Sequence, residues 1–78
     1  GLTAENMPLI KKGSTLFAVT QLQKMLNSAE YSGKQTLTVD GDFGSKTYNA
    51  VKAYQKDRGL EVDGEVGKNT WKSLFGEV

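Results

Sequence analysis

Carboxylates and glycines recur in two short stretches of this chain, and they are the residues that could do chemistry. The stretches are VDGDFGSKTY, from Val39 to Tyr48, and VDGEVGKNTW, from Val62 to Trp71. In the first stretch Asp40 and Asp42 lie two positions apart. Paired carboxylates can bind a divalent cation or serve as the two carboxyl groups of glycoside hydrolysis.

A calcium loop is the first chemistry that this pattern suggests. Asp40 and Asp42 match the first two ligand positions of an EF-hand loop. The fifth position is then Gly44, which has no side-chain oxygen, and the twelfth is Val51, where a bidentate glutamate belongs. The second stretch fails at the same positions. We therefore predict no metal site and no cofactor.

Nucleophilic catalysis is the second chemistry to consider. The 78 residues contain no histidine and no cysteine. A zinc site built on His or Cys ligands is excluded, and so is a Ser-His or Cys-His nucleophile. Only the paired carboxylates remain as candidates for catalysis.

A structural role explains the repeated residues better. The Asp40 carboxylate is expected to accept nearby backbone N–H groups in a tight turn, and Gly41 can adopt a positive φ without steric cost. Phe43 is expected to fill the core from the loop, Gly44 to let the chain bend and pass close to its neighbour, and Thr47 to bond back to the loop. The corresponding residues of the second stretch are Asp63, Gly64, Val66, Gly67 and Thr70. A ligand is then expected where the two copies differ, at Asp42 and Glu65, Ser45 and Lys68, Lys46 and Asn69, Tyr48 and Trp71.

The elements that position these turns are helices. Apolar residues recur at helical spacing in three segments, from about Leu16 to Ser28, Ser45 to Arg58 and Lys68 to Phe75. Ser14 or Thr15 is expected to cap the first segment, and Gly59 and Gly76 to end the other two. We predict an all-α fold, a small compact three-helix bundle with a duplicated VDG turn and helix, and room for a short β-bridge before the second helix. Three short helices offer little cleft for two catalytic carboxylates, so we predict that the chain is not an enzyme.

Length and charge limit the organisation and the partners. The 78 residues predict a single domain over residues 9–78, preceded by a tail or linker over residues 1–8. The net charge of +1, with interspersed signs, argues against nucleic acid, and Lys11 and Lys12 are interpreted as a solvated loop end. No apolar run approaches the roughly 20 residues of a membrane span, and an export signal would lie outside these residues.

Three stretches in a fixed order carry a family resemblance. They are GSTLFAVTQLQKMLN over residues 13–27, with a Val-x-x-Leu-Gln-x-x-Leu helix, then Val39 to Leu60, then Val62 to Leu74. In this combination the chain resembles the peptidoglycan-binding domain of bacterial and phage cell-wall hydrolases. Leu16 departs from the usual second glycine of the family, and Ser45 and Lys68 stand where proline is common. Ser45 is expected to cap the second helix instead.

The resemblance implies a compact three-helix fold and non-catalytic binding to the cell wall. Peptidoglycan would be the ligand, and an attached catalytic domain a second partner. A glycan strand with peptide stems offers sugar faces to aromatic rings, amides for hydrogen bonds, and carboxylates for lysine. On these grounds the expected ligand contacts are Tyr31, Asp42, Tyr48, Asn49, Lys52 and Asn69, whereas Trp71 is expected in the core. The chain is expected to be a monomer. It is expected outside the cell or in the cell wall, or to be encoded by a phage.

One alternative stays open on the sequence. The same fold can serve as a protein-interaction module that covers a neighbouring domain and binds no glycan, because fold alone does not define function. Sedimentation with insoluble cell walls separates the two.

Overall fold

The computed structural model of the protein describes residues 7–13 and 17–76. Three helices follow one another, α1 (Phe17–Ser28), α2 (Ser45–Arg58) and α3 (Lys68–Phe75). The predicted three-helix fold is confirmed, and α2 and α3 have the predicted bounds. Leu16 and the expected caps Ser14 and Thr15 lie outside the described residues.

The connections between the helices contain β-bridges and no strand in the described part of the chain. Ile10 pairs antiparallel with Val66 through backbone hydrogen bonds of 3.2 and 2.8 Å. Asp42 is also a bridge residue in the loop before α2, as predicted. Within the described residues, no helix has both the length and the apolar character that crossing a membrane requires.

The helix ends follow the glycines. Gly59 and Gly76 adopt the left-handed conformation, with φ of 71° and 74°, and end α2 and α3 as predicted. At the other end, Gly44 is the N-cap of α2 and Ser45 is already its first residue, so the predicted capping role of Ser45 is wrong. Nothing lies within 4 Å of a Cβ built on Gly44, which contradicts the close approach expected there.

The core lies where the three helices meet the two repeated turns. Val19, Leu22 and Val51 are fully buried on the helices, and Phe43 and Val66 fill the core from the turns as predicted. Trp71 is also fully buried, in agreement with its predicted core position, and stacks on Phe75 with ring centroids 5.8 Å apart.

The segment before Ile10 is attached to this core. The indole N–H of Trp71 donates a 2.9 Å hydrogen bond to the carbonyl of Pro8, and Met7 packs against the buried cluster. A buried indole N–H needs such an acceptor, because leaving it unpaired would cost about 1–3 kcal/mol. The predicted boundary between a tail and a domain at residue 9 stays a prediction.

The second turn allows a test of how tightly the chain is packed. Replacing Gly64 with alanine would place a Cβ 2.6 Å from Tyr48 Cδ1, at a φ of 75°. Replacing Gly59 gives a matched control, because its φ is 71° and nothing lies within 4 Å of its Cβ. We expect Gly59→Ala to lower the free energy of unfolding by about 1 kcal/mol and Gly64→Ala by about 3 kcal/mol, measured by urea denaturation. Equal losses would contradict the packing of Tyr48 on Gly64.

Candidate functional site

A buried glutamine holds the first repeated turn, residues 39–44. Gln23 on α1 is 1% exposed. Its Oε1 accepts the N–H groups of Asp40 and Gly41, both at 3.0 Å. Its Nε2 lies 3.0 Å from Asp40 Oδ1, 3.1 Å from the Asp42 carbonyl and 3.2 Å from Thr47 Oγ1. One side-chain amide thus ties α1, the turn and the first turn of α2 together.

Gln55 on α2 holds the second turn, residues 62–67, in the same way. Its Oε1 accepts the N–H groups of Asp63 and Gly64 at 3.1 and 3.0 Å. Its Nε2 donates to Asp63 Oδ1, the Glu65 carbonyl and Thr70 Oγ1, at 2.8 to 3.1 Å. The sets of partners correspond residue by residue, so each turn is closed by an amide from the preceding helix.

Sequence reasoning did not find this role for either glutamine. The signal was present, because Val19-x-x-Leu22-Gln23 on α1 matches the spacing of Val51-x-x-Tyr54-Gln55 on α2. The glutamines precede their aspartates by 17 and 8 residues, however. The unequal loop lengths hide the correspondence from a search for a fixed repeat period.

The aspartates of the two turns are also occupied by the backbone. Asp40 Oδ1 accepts the N–H of Asp42 at 3.0 Å, and Asp63 Oδ1 accepts that of Glu65 at 2.9 Å. This confirms the predicted aspartate-glycine turns, in which Gly41 and Gly64 have φ of 75°. The threonines, expected to bond to the loop, instead accept from the glutamine amides. Within residues 7–13 and 17–76, no three His, Cys, Asp or Glu side chains come together as metal ligands would.

Two clefts lie beside the turns, at the starts of α2 and α3. The first has a volume of about 280 Å³ and is lined in part by Asp42, Ser45 and Lys46. The second has a volume of about 360 Å³ and is lined in part by Glu65, Lys68 and Asn69. These lining residues are the positions at which the two copies differ. Asp42 and Asn69, both expected as ligand contacts, are exposed and lie in different clefts.

A third surface forms around Tyr48, which is half-buried on α2. Lys52 Nζ lies 5.2 Å from the centroid of the Tyr48 ring, and Lys12 Nζ lies 5.5 Å from it. The interpretation of Lys12 as part of a solvated loop end missed this contact. Asn49, the next residue on α2, is exposed. The fold therefore brings together two predicted contacts, Tyr48 and Lys52, which lie one turn apart on α2.

Tyr31 is not on this surface, and the expectation that it lies off the core is wrong. It is 8% exposed and packs edge-to-face on Tyr54, with ring centroids 5.5 Å apart. Its hydroxyl has no hydrogen-bond partner in the described part of the chain, and burial raises the pKa of that hydroxyl. The tyrosine is drawn inward because its ring completes the apolar packing around Tyr54. Little of the ring surface remains for a ligand.

Comparison with known proteins agrees with the repeated turns and the helices that they join. The sequence profile of the family described as "Putative peptidoglycan binding domain" matches residues 18–74, which include the three helices almost in full. The chain belongs to this peptidoglycan-binding domain family.

Relatives of this domain include wall-lytic enzymes. The N-acetylmuramoyl-L-alanine amidase CwlL of Bacillus licheniformis is 41% identical over 66 residues, which are 85% of this chain and 18% of the amidase. The spore cortex-lytic enzyme of Bacillus subtilis (strain 168) is 38% identical over 75 residues, or 95% of this chain and 24% of the enzyme. The chain spans a quarter or less of the length of these two relatives.

A solved structure of similar size gives the structural counterpart. The crystal structure of the SleB N-terminal domain has a TM-score of 0.79 and 36% identity, with 88% of this chain and 90% of that chain covered. The agreement extends over nearly the whole of both chains. The peptidoglycan-binding domain fold is therefore the fold of this chain, and within relatives such as the amidase it is an accessory to a catalytic part.

The role of the buried amides can be tested at Gln55. Gln55→Leu replaces the amide with an apolar side chain of similar size, which leaves the N–H groups of Asp63 and Gly64 and the Thr70 hydroxyl without their partner. We expect a loss of about 3 kcal/mol in the free energy of unfolding, measured by urea denaturation. Gln35→Leu, at an exposed position, is the control and is expected to change it by less than about 0.5 kcal/mol. We call each buried glutamine, together with the turn groups that it hydrogen-bonds, an amide clamp. A Gln55→Leu protein as stable as the wild type would refute the clamp at the second turn.

The first turn has a pH dependence that follows from Asp40. The N–H of Asp42 and the amide of Gln23 hold the pKa of the Asp40 carboxyl below its usual value of 3.8. A lowered folded-state pKa means that the charged carboxylate stabilises the fold above pH 3.8, and that this contribution is lost as the pH falls through the folded-state value. We expect the melting temperature of wild type to exceed that of Asp40→Asn at neutral pH, and the two to converge in strong acid. Asp42→Asn is the control, and an NMR titration that gives Asp40 an ordinary pKa would count against the argument.

Proposed function

We propose that this domain binds peptidoglycan without catalysing a reaction, and that it holds an attached cell-wall hydrolase on its substrate. The observation that carries the proposal is the family match over residues 18–74. Two facts of composition and geometry support a non-catalytic role. The sequence has no histidine or cysteine, and the carboxylates of Asp40 and Asp63 are engaged in closing their turns.

Recognition falls on the two clefts and on the surface around Tyr48. Asp42 and Asn69 are the proposed contacts in the clefts, and Asn49, Tyr48 and Lys52 are those on α2. Amide and carboxylate side chains hydrogen-bond to the N-acetyl and hydroxyl groups of a glycan, whereas ammonium groups pair with carboxylates of the peptide stems. Polar, open clefts suit a ligand that is itself hydrated and extended.

The proposal also covers the cellular location of the domain, its oligomeric state and its internal repeat. We propose an extracellular or cell-wall location, which the names of relatives such as the amidase and the spore cortex-lytic enzyme support, and a bacterial or phage-encoded source. We propose a monomer, with the attached hydrolase as its protein partner. The equivalent hydrogen bonds of Gln23 and Gln55 support the view that the two turn-and-helix units are an internal repeat.

Sedimentation with purified, insoluble sacculi tests the proposed function. We expect most of the wild-type domain in the pellet at low salt. The triple variant Asp42→Ala, Asn49→Ala, Asn69→Ala should bind about tenfold more weakly, because tenfold corresponds to about 1.4 kcal/mol, roughly the net contribution of one or two hydrogen bonds. Gln35→Ala, at an exposed position on the loop between α1 and α2, is the matched control and should bind like wild type.

The outcomes separate the two functions that the sequence left open. A wild-type domain that stays in the supernatant would contradict peptidoglycan binding and favour a module that covers a neighbouring domain. If wild type and the triple variant bind equally well, the proposed function stands, but these three residues are not ligand contacts.

A further inference from the structure

The Tyr48 ring is held in one place by the second turn. Tyr48 lies on α2, and its ring covers the backbone of Gly64, where any Cβ would overlap ring atoms. Gly64 itself is buried and is hydrogen-bonded to Gln55 through its N–H. The ring is therefore a platform between α2 and the second turn, and that turn is itself held by the Gln55 amide.

Two ammonium groups converge on this platform from different parts of the chain. Lys52 lies one helical turn after Tyr48 on α2, and Lys12 comes from the loop that follows Ile10. Their Nζ atoms lie 5.2 and 5.5 Å from the ring centroid, within the roughly 6 Å limit of a cation–π contact. The side chain of Lys12 is exposed and that of Lys52 is half-buried, so the two charges stay accessible to a ligand.

The two charges have no anionic partner in the described part of the chain. The ion pairs found there join Lys34 to Glu30 and Arg58 to Asp57. Asp63 and Glu65 flank Gly64 but pair with neither lysine, and Asp63 Oδ1 is already bonded to Gln55 and to the N–H of Glu65. Both ammonium groups lie within 6 Å of one ring centroid, so an anion that binds beside the ring is attracted by both charges.

We infer that Lys12, Tyr48 and Lys52 form a carboxylate-binding site, which takes a free carboxylate of a peptide stem of peptidoglycan. The ammonium groups bind the carboxylate, and the electronegative face of the Tyr48 ring holds them in place through the cation–π contacts. Lysine suits this role because each ammonium acts as a point charge with three donors and requires no bidentate geometry. The inference rests on the proposed function, since carboxylates are the anions that peptide stems carry.

The experiment uses sacculi treated with hydrofluoric acid, which removes phosphodiester-linked polymers and leaves the peptide carboxylates. Binding is measured by co-sedimentation for wild type, for Lys12→Gln with Lys52→Gln, and for Lys24→Gln with Lys56→Gln as control. Both double variants lose two positive charges at exposed or half-buried positions, so their net charge is the same. Thermal unfolding followed by circular dichroism checks that each variant is folded.

We expect the Lys12 and Lys52 variant to bind about fivefold more weakly, and the control variant to stay within about twofold of wild type. A second batch of sacculi has its carboxylates converted to amides. Wild type should bind these amidated sacculi as weakly as the Lys12 and Lys52 variant binds the unmodified ones. The variant itself should bind both batches equally.

Each other outcome overturns a defined statement. Equal losses in the two double variants would mean that the change in net charge alone weakens binding. Undiminished binding of wild type to amidated sacculi would exclude the carboxylate as the ligand. Loss of wild-type binding after the hydrofluoric acid treatment would make a phosphodiester polymer the ligand. Failure of wild type to bind any sacculi would contradict the proposed function itself, whereas wild-type binding that Lys12→Gln with Lys52→Gln leaves unchanged would overturn only this site.

Discussion

Two buried side-chain amides are the interactions on which the rest of this small domain depends. Each lies on a helix and hydrogen-bonds a turn that is distant in the sequence, so that helix, turn and following helix are joined at one point. Gln23 and Gln55 are each 1% exposed, and every polar atom of their amides is paired. Buried polar networks of this kind stabilise a fold only when they are fully satisfied, because an unpaired group costs more than a pair contributes. These hydrogen bonds fix the position of each turn relative to the helices, which apolar packing in so thin a core would not do alone.

This use of the turns decides which residues remain for a ligand. The aspartates, the glycines and the threonines of both copies have their polar groups or their backbone conformation committed to the clamp. Of the residues that differ between the two stretches, Asp42, Glu65 and Asn69 line the clefts, whereas Trp71 is buried in the core. Holding the turns thus falls to residues that the two stretches share, whereas the proposed contacts Asp42, Tyr48 and Asn69 are at positions that differ between them.

The segment before α1 has two roles that appear only in three dimensions. Ile10 pairs with Val66, and the carbonyl of Pro8 accepts the indole N–H of Trp71, so this segment closes the core over α3. The same segment continues to Lys12, whose ammonium lies over the Tyr48 ring. The segment that covers the core therefore also places the positive charge of Lys12 beside α2.

The helices, the core aromatic and the turns could be predicted from the sequence, because they depend on local chemistry. Helical spacing gave the bounds of α2 and α3, glycine gave their left-handed ends, and the aspartate-glycine pairs gave the turns. The errors at Ser45 and Gly44 concern a shift of one residue at a helix start and a steric contact, neither of which local pattern resolves. Membership of the family was also readable, since its motifs occur in order along the chain.

Tertiary structure alone decided the rest. Tyr31 and Tyr48 are the same residue type in polar surroundings, yet one is buried against Tyr54 and the other is open to two lysines. Lys12 and Lys52 are 40 residues apart in the sequence, and both reach the Tyr48 ring because of how the segment before α1 packs against the core. Likewise, loops of unequal length concealed the equivalence of Gln23 and Gln55. Local sequence determines which elements form and where they end, whereas contacts between residues far apart depend on packing that no short pattern encodes.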